Sequence, residues 1–184
     1  MDTRQANMGV TIITVLLAVV LQLVLAPALT LFGVVPNFML VAAVFTAMRN
    51  GPVRATVVGF ILGLTLDLCS LGPFGAMTLV FTLLSYAVST LNKGGLAGNV
   101  VIDIIIMFAA LIMGELLVSV IYAITGANPD FFLSLAQLVL PAIVYDTMIG
   151  CIVLIIFNQA QGGRSKSFGS RAGSGRSLSR KLNK

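Results

Sequence analysis

Long runs of apolar residues, separated by short breaks, follow one another along the chain as far as residue 158. Six runs cover residues 8–32, 36–48, 52–71, 73–91, 100–125 and 131–158. A helix needs roughly 20 apolar residues to cross the hydrocarbon core of a bilayer. The breaks contain Gly, Pro and Asn, which favour turns. The pattern predicts an all-α integral membrane protein, with a six-transmembrane-helix bundle over residues 1–158.

The second run, residues 36–48, is short for a crossing. It either crosses with the head group of Arg49 at the surface or enters and leaves on one side. With six crossings and both termini in the cytoplasm, the cations all fall on the cytoplasmic side: Arg4, Arg49, Arg54, Lys93 and seven cations after residue 158. The outer connections then hold a single charged residue, Asp130. This distribution follows the positive-inside rule and favours six crossings.

Composition supports the membrane assignment and locates the positive charge. Hydrophobic residues make up 58% of the chain, and the mean hydropathy is +1.06. The net charge of +5 comes from residues 159–184, which hold seven cations and no acid. We expect these residues to form a disordered basic cytoplasmic tail that attracts anionic lipid, at about 1 kcal/mol per cation. A charge confined to a tail does not indicate nucleic-acid binding.

Asp103 lies near the start of the fifth apolar run, and three further carboxyl groups lie inside apolar runs, at Asp67, Glu115 and Asp146. Ionisable groups in a membrane helix are costly and are often functional. One interpretation is a polar or proton-coupled site in the core of the bundle. The other, which we favour, is hydrogen bonding between helices, because no cation lies deep in the runs to pair with these groups.

Hydroxyl side chains form a stripe along the fourth run, at Thr78, Thr82, Ser85 and Ser89. Their spacing places them on one face of a helix, and that face can meet Asp67 or Glu115. Hydroxyl groups in a membrane helix also bond to their own backbone. We therefore favour a structural role for the stripe.

Gly59 and Gly63 lie four residues apart in the third run, a spacing that lets another helix approach closely. We expect this pair to pack within the protein, and a seam between two copies is the alternative. Prolines inside the first and last runs, Pro27 and Pro141, predict kinks in those helices.

The sequence offers no recognisable catalytic constellation. It contains no histidine, no nucleophile beside a base, no cluster with metal-ligand spacing and no phosphate-binding loop. These features indicate a protein that is not an enzyme and that uses no cofactor or metal.

One block of the chain resembles a known family. A long apolar run precedes Val35-Pro36-Asn37-Phe38, and a short run then ends at Met48-Arg49-Asn50-Gly51-Pro52. Next come Gly59-Phe60, Gly63-Leu64, Asp67-Leu68 and Gly72-Pro73-Phe74-Gly75. In this order the residues resemble the rod shape-determining protein MreD family over about residues 36–89. The family often has Pro-Asp where this chain has Pro36-Asn37.

The resemblance implies a bundle similar to the substrate-binding subunits of energy-coupling-factor transporters, in the inner membrane of a bacterium. It implies a non-enzymatic component of the cell-elongation machinery (the elongasome) that scaffolds or regulates lateral peptidoglycan synthesis and rod shape. The implied partners are MreC, MreB, RodA and the transpeptidase that works with RodA. The family has no established catalytic residues to carry over. The alternative function is a substrate-binding membrane subunit of a vitamin transporter.

Two sets of candidate residues follow from the motifs and the buried polar positions. Those expected to pack helices or contact partners are Pro36, Asn37, Arg49, Gly51, Pro52, Gly59, Gly63, Asp67, Gly72, Pro73 and Gly75. Those expected to be buried polar groups are Glu115, Asp146, Thr78, Thr82 and Ser85.

Overall fold

The computed structural model describes residues 3–30, 34–92, 100–126 and 135–172, with side chains for 8–30, 34–92, 101–126 and 135–156. Lys93, Asp130 and residues 173–184 lie outside the described residues. The α-helices in the described part are α1 (Thr3–Val20), α2 (Phe38–Arg49), α3 (Pro52–Cys69), α4 (Ala76–Asn92), α5 (Val100–Ile124) and α6 (Leu140–Ala172).

The chain forms two compact units, Met1–Cys151 and Ile152–Lys184, and the boundary falls inside α6. The first unit contains α1 to α5 and the beginning of α6. In the second unit the helix continues to Ala172, into the segment 159–184 for which composition predicts disorder. The disorder of that segment stays a prediction.

Four described segments are long and apolar enough to cross a membrane: Met8–Leu25, Pro52–Cys69, Val101–Ile124 and Leu135–Ile156. The apolar helices α2 and α4 are shorter, at 12 and 17 residues. The protein is therefore a membrane protein with an all-helical fold over its described residues. The count of six crossings and the similarity to energy-coupling-factor subunits stay predictions.

The prolines inside the first and last apolar runs follow widened helical turns. A π-helical turn, Leu21–Leu25, precedes Pro27, which begins a short 3-10 helix. Another π-helical turn, Leu135–Val139, precedes Pro141 near the start of α6. Proline has no N–H and its ring collides with the carbonyl four residues earlier. The wide turns move that carbonyl aside and allow the chain to remain helical.

Helix α2 lies at the centre of the first unit. Every side chain from Phe38 to Met48 is buried, whereas α1, which is also apolar, leaves side chains such as Ile13, Leu16 and Leu17 more than half exposed. With 12 residues α2 is about 18 Å long, against about 37 Å for the 25-residue α5. A short helix surrounded by longer ones leaves a hollow beyond one of its ends.

Side-chain hydrogen bonds show which helix ends lie together. At the arginine end, defined by residues 49–54, the amide of Asn50 donates to the hydroxyl of Thr11 in α1 (3.1 Å). The carbonyl of Asn50 accepts from the hydroxyl of Ser89 in α4 (2.6 Å). The opposite end, called the Pro73 end, is defined by residues 70–75, which connect α3 to α4.

Candidate functional site

The first turn of α2 is capped inside the protein. The side-chain oxygen of Asn37 accepts a hydrogen bond from the N–H of Leu40 (3.0 Å), as an N-cap residue does. The N–H of Asn37 donates to Oδ1 of Asp146 in α6 (2.8 Å). A residue 109 positions away in the chain therefore satisfies a backbone donor at the start of α2.

Gln22, in the π-helical turn after α1, completes this cap. Its amide nitrogen donates to the carbonyl of Pro36 (3.2 Å), and its amide oxygen accepts from the N–H of Met39 (3.4 Å). Free N–H groups at a helix start are costly when they are buried without partners. Side chains from two other helical segments provide those partners here.

The last turn of α2 is capped in the same way at the arginine end. The amide of Asn92, at the end of α4, donates to the carbonyl of Met48. The amide of Asn50 donates to the carbonyl of Thr46 (2.8 Å). Both ends of α2 are thus held by side chains, which explains how so short a helix can lie in the core.

Arg49, which was expected to pack helices or contact partners, is the last residue of α2. Arg49 is half-buried, and its guanidinium lies 5.5 Å from the centre of the Phe45 ring, a cation–π contact. The carboxyl group of Asp103, near the start of α5, interacts electrostatically with this guanidinium group. Gly51 is the extended residue before α3, and Pro52 occupies the first turn, where its missing N–H costs nothing.

Gly59 and Gly63 lie where α3 touches α4. A Cβ atom added to Gly63 would lie 2.6 Å from both the carbonyl oxygen of Met77 and the Cα of Thr78. A Cβ atom added to Gly59 would overlap the side chain of Ser85. Glycine lets the two backbones approach this closely, and the contact lies within the chain.

Asp67 caps the start of α4. Its Oδ1 accepts from the N–H of Met77 (3.1 Å), and its Oδ2 accepts from the N–H (2.9 Å) and the hydroxyl (2.5 Å) of Thr78. The hydroxyl of Thr82 donates to the carbonyl of Thr78 in its own helix (2.5 Å). The hydroxyl of Ser85 is buried and has no hydrogen-bond partner among the described residues. The polar stripe of α4 therefore meets Asp67 at Thr78 only.

The turn at the Pro73 end packs on α5. Gly72 lies against Tyr122, whose phenol would overlap any Cβ atom at that position. The carbonyl of Pro73 accepts from the N–H of Ala76 (3.2 Å). Gly75 has φ of +92°, a conformation that favours glycine. The fourth apolar run begins at residue 73, but helix α4 begins only at Ala76. The positive φ of Gly75 is not helical, so the helix cannot start before this residue.

Glu115 and Asp146 come together from α5 and α6. The carboxyl group of Glu115 lies against the side chains of Asn37 and Asp146, close enough for direct interaction. Asp146 is fully buried, and its Oδ2 makes no hydrogen bond of standard geometry within the described residues. The three side chains form a cluster, called here the carboxyl cluster, at the amino end of α2.

A cavity of about 230 Å³ lies beside the carboxyl cluster, with Glu115 in its wall. The other lining residues come from the segment before α2, from α4, from α5, from the π-helical turn before α6 and from the start of α6: Val34, Val35, Met77, Val118, Ser119, Tyr122, Leu138, Val139 and Ala142. The cavity occupies the hollow expected beyond the amino end of a short central helix. Within the described residues no group of three His, Cys, Asp or Glu side chains is placed to hold a metal.

Four polar residues at the ends of α2 were missing from the candidate set: Gln22, Asn50, Ser89 and Asn92. Gln22 is an isolated polar residue within an apolar run, a signal that marks it as buried and bonded. The other three lie close to run boundaries, where polar residues are ordinary. The stripe on α4 includes Ser89, but neither that spacing nor the positions of Asn50 and Asn92 indicate a contact at the end of α2.

A search of curated proteins and a search of solved structures each found no match. The family model described as rod shape-determining protein MreD matches residues 3–159. This match covers most of the 184-residue chain and extends past the block 36–89 on which the resemblance was based. The resemblance is confirmed: the chain belongs to the MreD family and has a role in rod shape determination.

Proposed function

We propose that this protein is a non-enzymatic scaffold of the bacterial cell-elongation machinery, which organises or regulates lateral peptidoglycan synthesis. The observation that carries the proposal is the double cap of α2. The polar side chains at both of its ends bond to helix termini, and they thereby hold a membrane bundle in one arrangement. A rigid bundle of this kind is suited to position other proteins.

The exposed apolar helices supply surfaces for such partners. Helix α1 exposes Ile13, Leu16 and Leu17, and α3 exposes Val57 and Ile61. In a bilayer these side chains face lipid or the membrane helix of another protein. The Gly59/Gly63 pair is occupied by α4, so its part in the proposed scaffold is to hold α3 and α4 together.

The proposed setting is the inner membrane, crossed several times, with both termini in the cytoplasm. The arginine end would face the cytoplasm, as the positive-inside rule favours, and the Pro73 end would face outwards. The proposed partners are MreC and MreB, together with RodA and its transpeptidase. The basic tail would bind anionic lipid.

The alternative, a vitamin transporter subunit, has no support from the family match. The outer-loop residues with which such a subunit could bind a vitamin, Asn128, Asp130 and Phe131, lie outside the described residues. The scaffold is therefore the function proposed here.

Depletion of the protein in its rod-shaped host tests the scaffold directly. Cells are expected to widen and become round over a few generations, with loss of lateral peptidoglycan incorporation, because the elongation enzymes lose their organiser. The measurement is cell width and the position of labelled cell-wall precursor, and re-expression of the wild-type chain provides the control. Depleted cells that remain rods with normal lateral incorporation would refute the proposal.

A further inference from the structure

We infer that the groove between α1 and α3 at the arginine end binds one anionic phospholipid, with the phosphate at the guanidinium of Arg54 and a hydrocarbon chain along the groove. This site is separate from the basic tail. It goes beyond the proposed scaffold function and does not depend on it. The depth of the groove in the membrane, its lining and the charge at its rim support the assignment.

The groove lies where two segments long enough to cross the membrane begin. One starts at Met8 in α1 and the other at Pro52, the first residue of α3. Met8 and Val53, at these two starts, both line the groove. The ends of a spanning helix lie at the depth of the lipid head groups. The rim of the groove therefore meets phosphates, and its continuation towards Ile12 and Val57 meets hydrocarbon.

The wall of the groove is apolar below this rim. Four of its side chains are more than half exposed: Met8 and Ile12 of α1, and Val53 and Val57 of α3. The volume is about 260 Å³, below the roughly 300–1,000 Å³ of pockets for drug-sized ligands. An apolar groove of this size, open to the bilayer, suits a single slender hydrocarbon chain.

A hydrogen bond fixes the floor of the groove before any lipid binds. The amide of Asn50 donates to the hydroxyl of Thr11 in α1 (3.1 Å), and both residues line the groove. The same amide donates to the carbonyl of Thr46 in α2 (2.8 Å). Helix α1 is thereby tied to the connection that precedes α3. A site that is already formed loses little free energy to ordering when it binds.

Arg54 supplies the positive charge at the rim. It is exposed, and its guanidinium makes no hydrogen bond or ion pair with another described residue, whereas Arg49 contacts Phe45 and interacts with Asp103. A guanidinium presents a rigid fork of donors that matches a phosphate group. The start of α3 has no side-chain cap and adds the partial positive charge of a helix amino end. This charge favours an anionic head group over a zwitterionic one.

A lipid titration of the purified full chain in neutral detergent, followed by native mass spectrometry, tests the site. The probes are palmitoyl-oleoyl-phosphatidylglycerol, which is anionic, and phosphatidylcholine with the same chains, which is zwitterionic. One phosphatidylglycerol molecule is expected to bind about tenfold more tightly than phosphatidylcholine. Inorganic phosphate at the same concentration is not expected to displace it. Equal affinity for the two lipids, or displacement by inorganic phosphate, overturns the inference.

A pair of charge variants separates the groove from the basic tail. Arg54→Gln is expected to weaken phosphatidylglycerol binding by about tenfold, because a hydrogen bond between two charged groups is lost. Arg176→Gln removes the same charge from the predicted tail and is expected to leave the tightest binding unchanged. Equal losses in the two variants would assign the lipid to general charge attraction and contradict the inference.

A second pair tests the groove without altering any charge. Val57→Phe fills the groove and is expected to weaken phosphatidylglycerol binding. Ile61→Phe, one turn further along α3 and outside the lining residues, is expected to bind as the wild type does. Both positions are exposed, at 53% and 48%, so neither change overpacks the core, and the test stays decisive if Arg54→Gln does not fold. Wild-type affinity in both Arg54→Gln and Val57→Phe contradicts the assignment.

A membrane helix of a partner protein is the competing occupant of the groove. Native mass spectrometry of the complex purified with its membrane partners separates the two. One phosphatidylglycerol molecule that depends on Arg54 is expected to remain bound in the complex. Its absence from the complex assigns the groove to a partner and overturns the inference.

Discussion

Replacement of Gly63 by alanine is expected to lower the free energy of unfolding by about 1–3 kcal/mol and to impair the restoration of rod shape. The added Cβ atom would lie 2.6 Å from backbone atoms of Met77 and Thr78, which cannot rotate away as a side chain can. Helices α3 and α4 would have to separate along their contact. Thermal unfolding of the purified protein, followed by far-UV circular dichroism, measures the change.

Gly9→Ala is the matched control, because a Cβ atom at Gly9 in α1 meets nothing within 4 Å. Alanine is favoured over glycine in a helix by roughly 0.5–1 kcal/mol, so this variant is expected to be as stable as the wild type or slightly more stable. Equal stability of Gly63→Ala and Gly9→Ala would show that α3 and α4 do not meet at Gly63.

Replacement of Asp67 by alanine is the second large effect. It leaves the N–H groups of Met77 and Thr78 and the hydroxyl of Thr78 without their acceptor. Loss of such a cap is expected to cost about 1–3 kcal/mol of unfolding free energy. Thr65→Ala is the control, because the hydroxyl of Thr65 bonds only to the carbonyl of Ile61 in its own helix among the hydrogen bonds of the described residues.

A double-mutant cycle with Thr78→Val identifies the partner. Thr78→Val is expected to destabilise the wild type more than it destabilises Asp67→Ala, since the shared hydrogen bond is already absent in the second background. Strictly additive effects of the two substitutions would mean that Asp67 does not cap α4 through Thr78.

Two helices could be predicted with nearly correct ends, whereas α4 begins three residues after its run and α6 continues past the end of its run. The run 52–71 corresponds to helix Pro52–Cys69, which begins at a proline, and the run 100–125 corresponds to Val100–Ile124. The central position of α2 could not be predicted. An apolar helix can be covered by lipid or by protein, and composition does not separate the exposed α1 from the buried α2.

The sequence predicts that individual residues of the candidate site are buried, but it does not predict which of them contact each other. Burial of Glu115 and Asp146 could be expected from their positions in apolar runs, and the structure places both beside Asn37. The contact between Glu115 and Asp146 depends on how α2, α5 and α6 pack. The spacing of residues along the chain does not predict that packing. Asp67 and Thr78 are close in sequence, on either side of one turn, and their contact was one of two alternatives that the sequence left open.

In the proposed topology the arginine end of the bundle lies in the cytoplasm and the Pro73 end lies outside. Single cysteines report this directly once Cys69 and Cys151 are replaced by alanine. In spheroplasts a membrane-impermeant maleimide is expected to label Leu71→Cys, at the fully exposed position in the Pro73 turn. It is expected to label Gly51→Cys only after permeabilisation. Labelling of Gly51→Cys from the external medium would contradict the account.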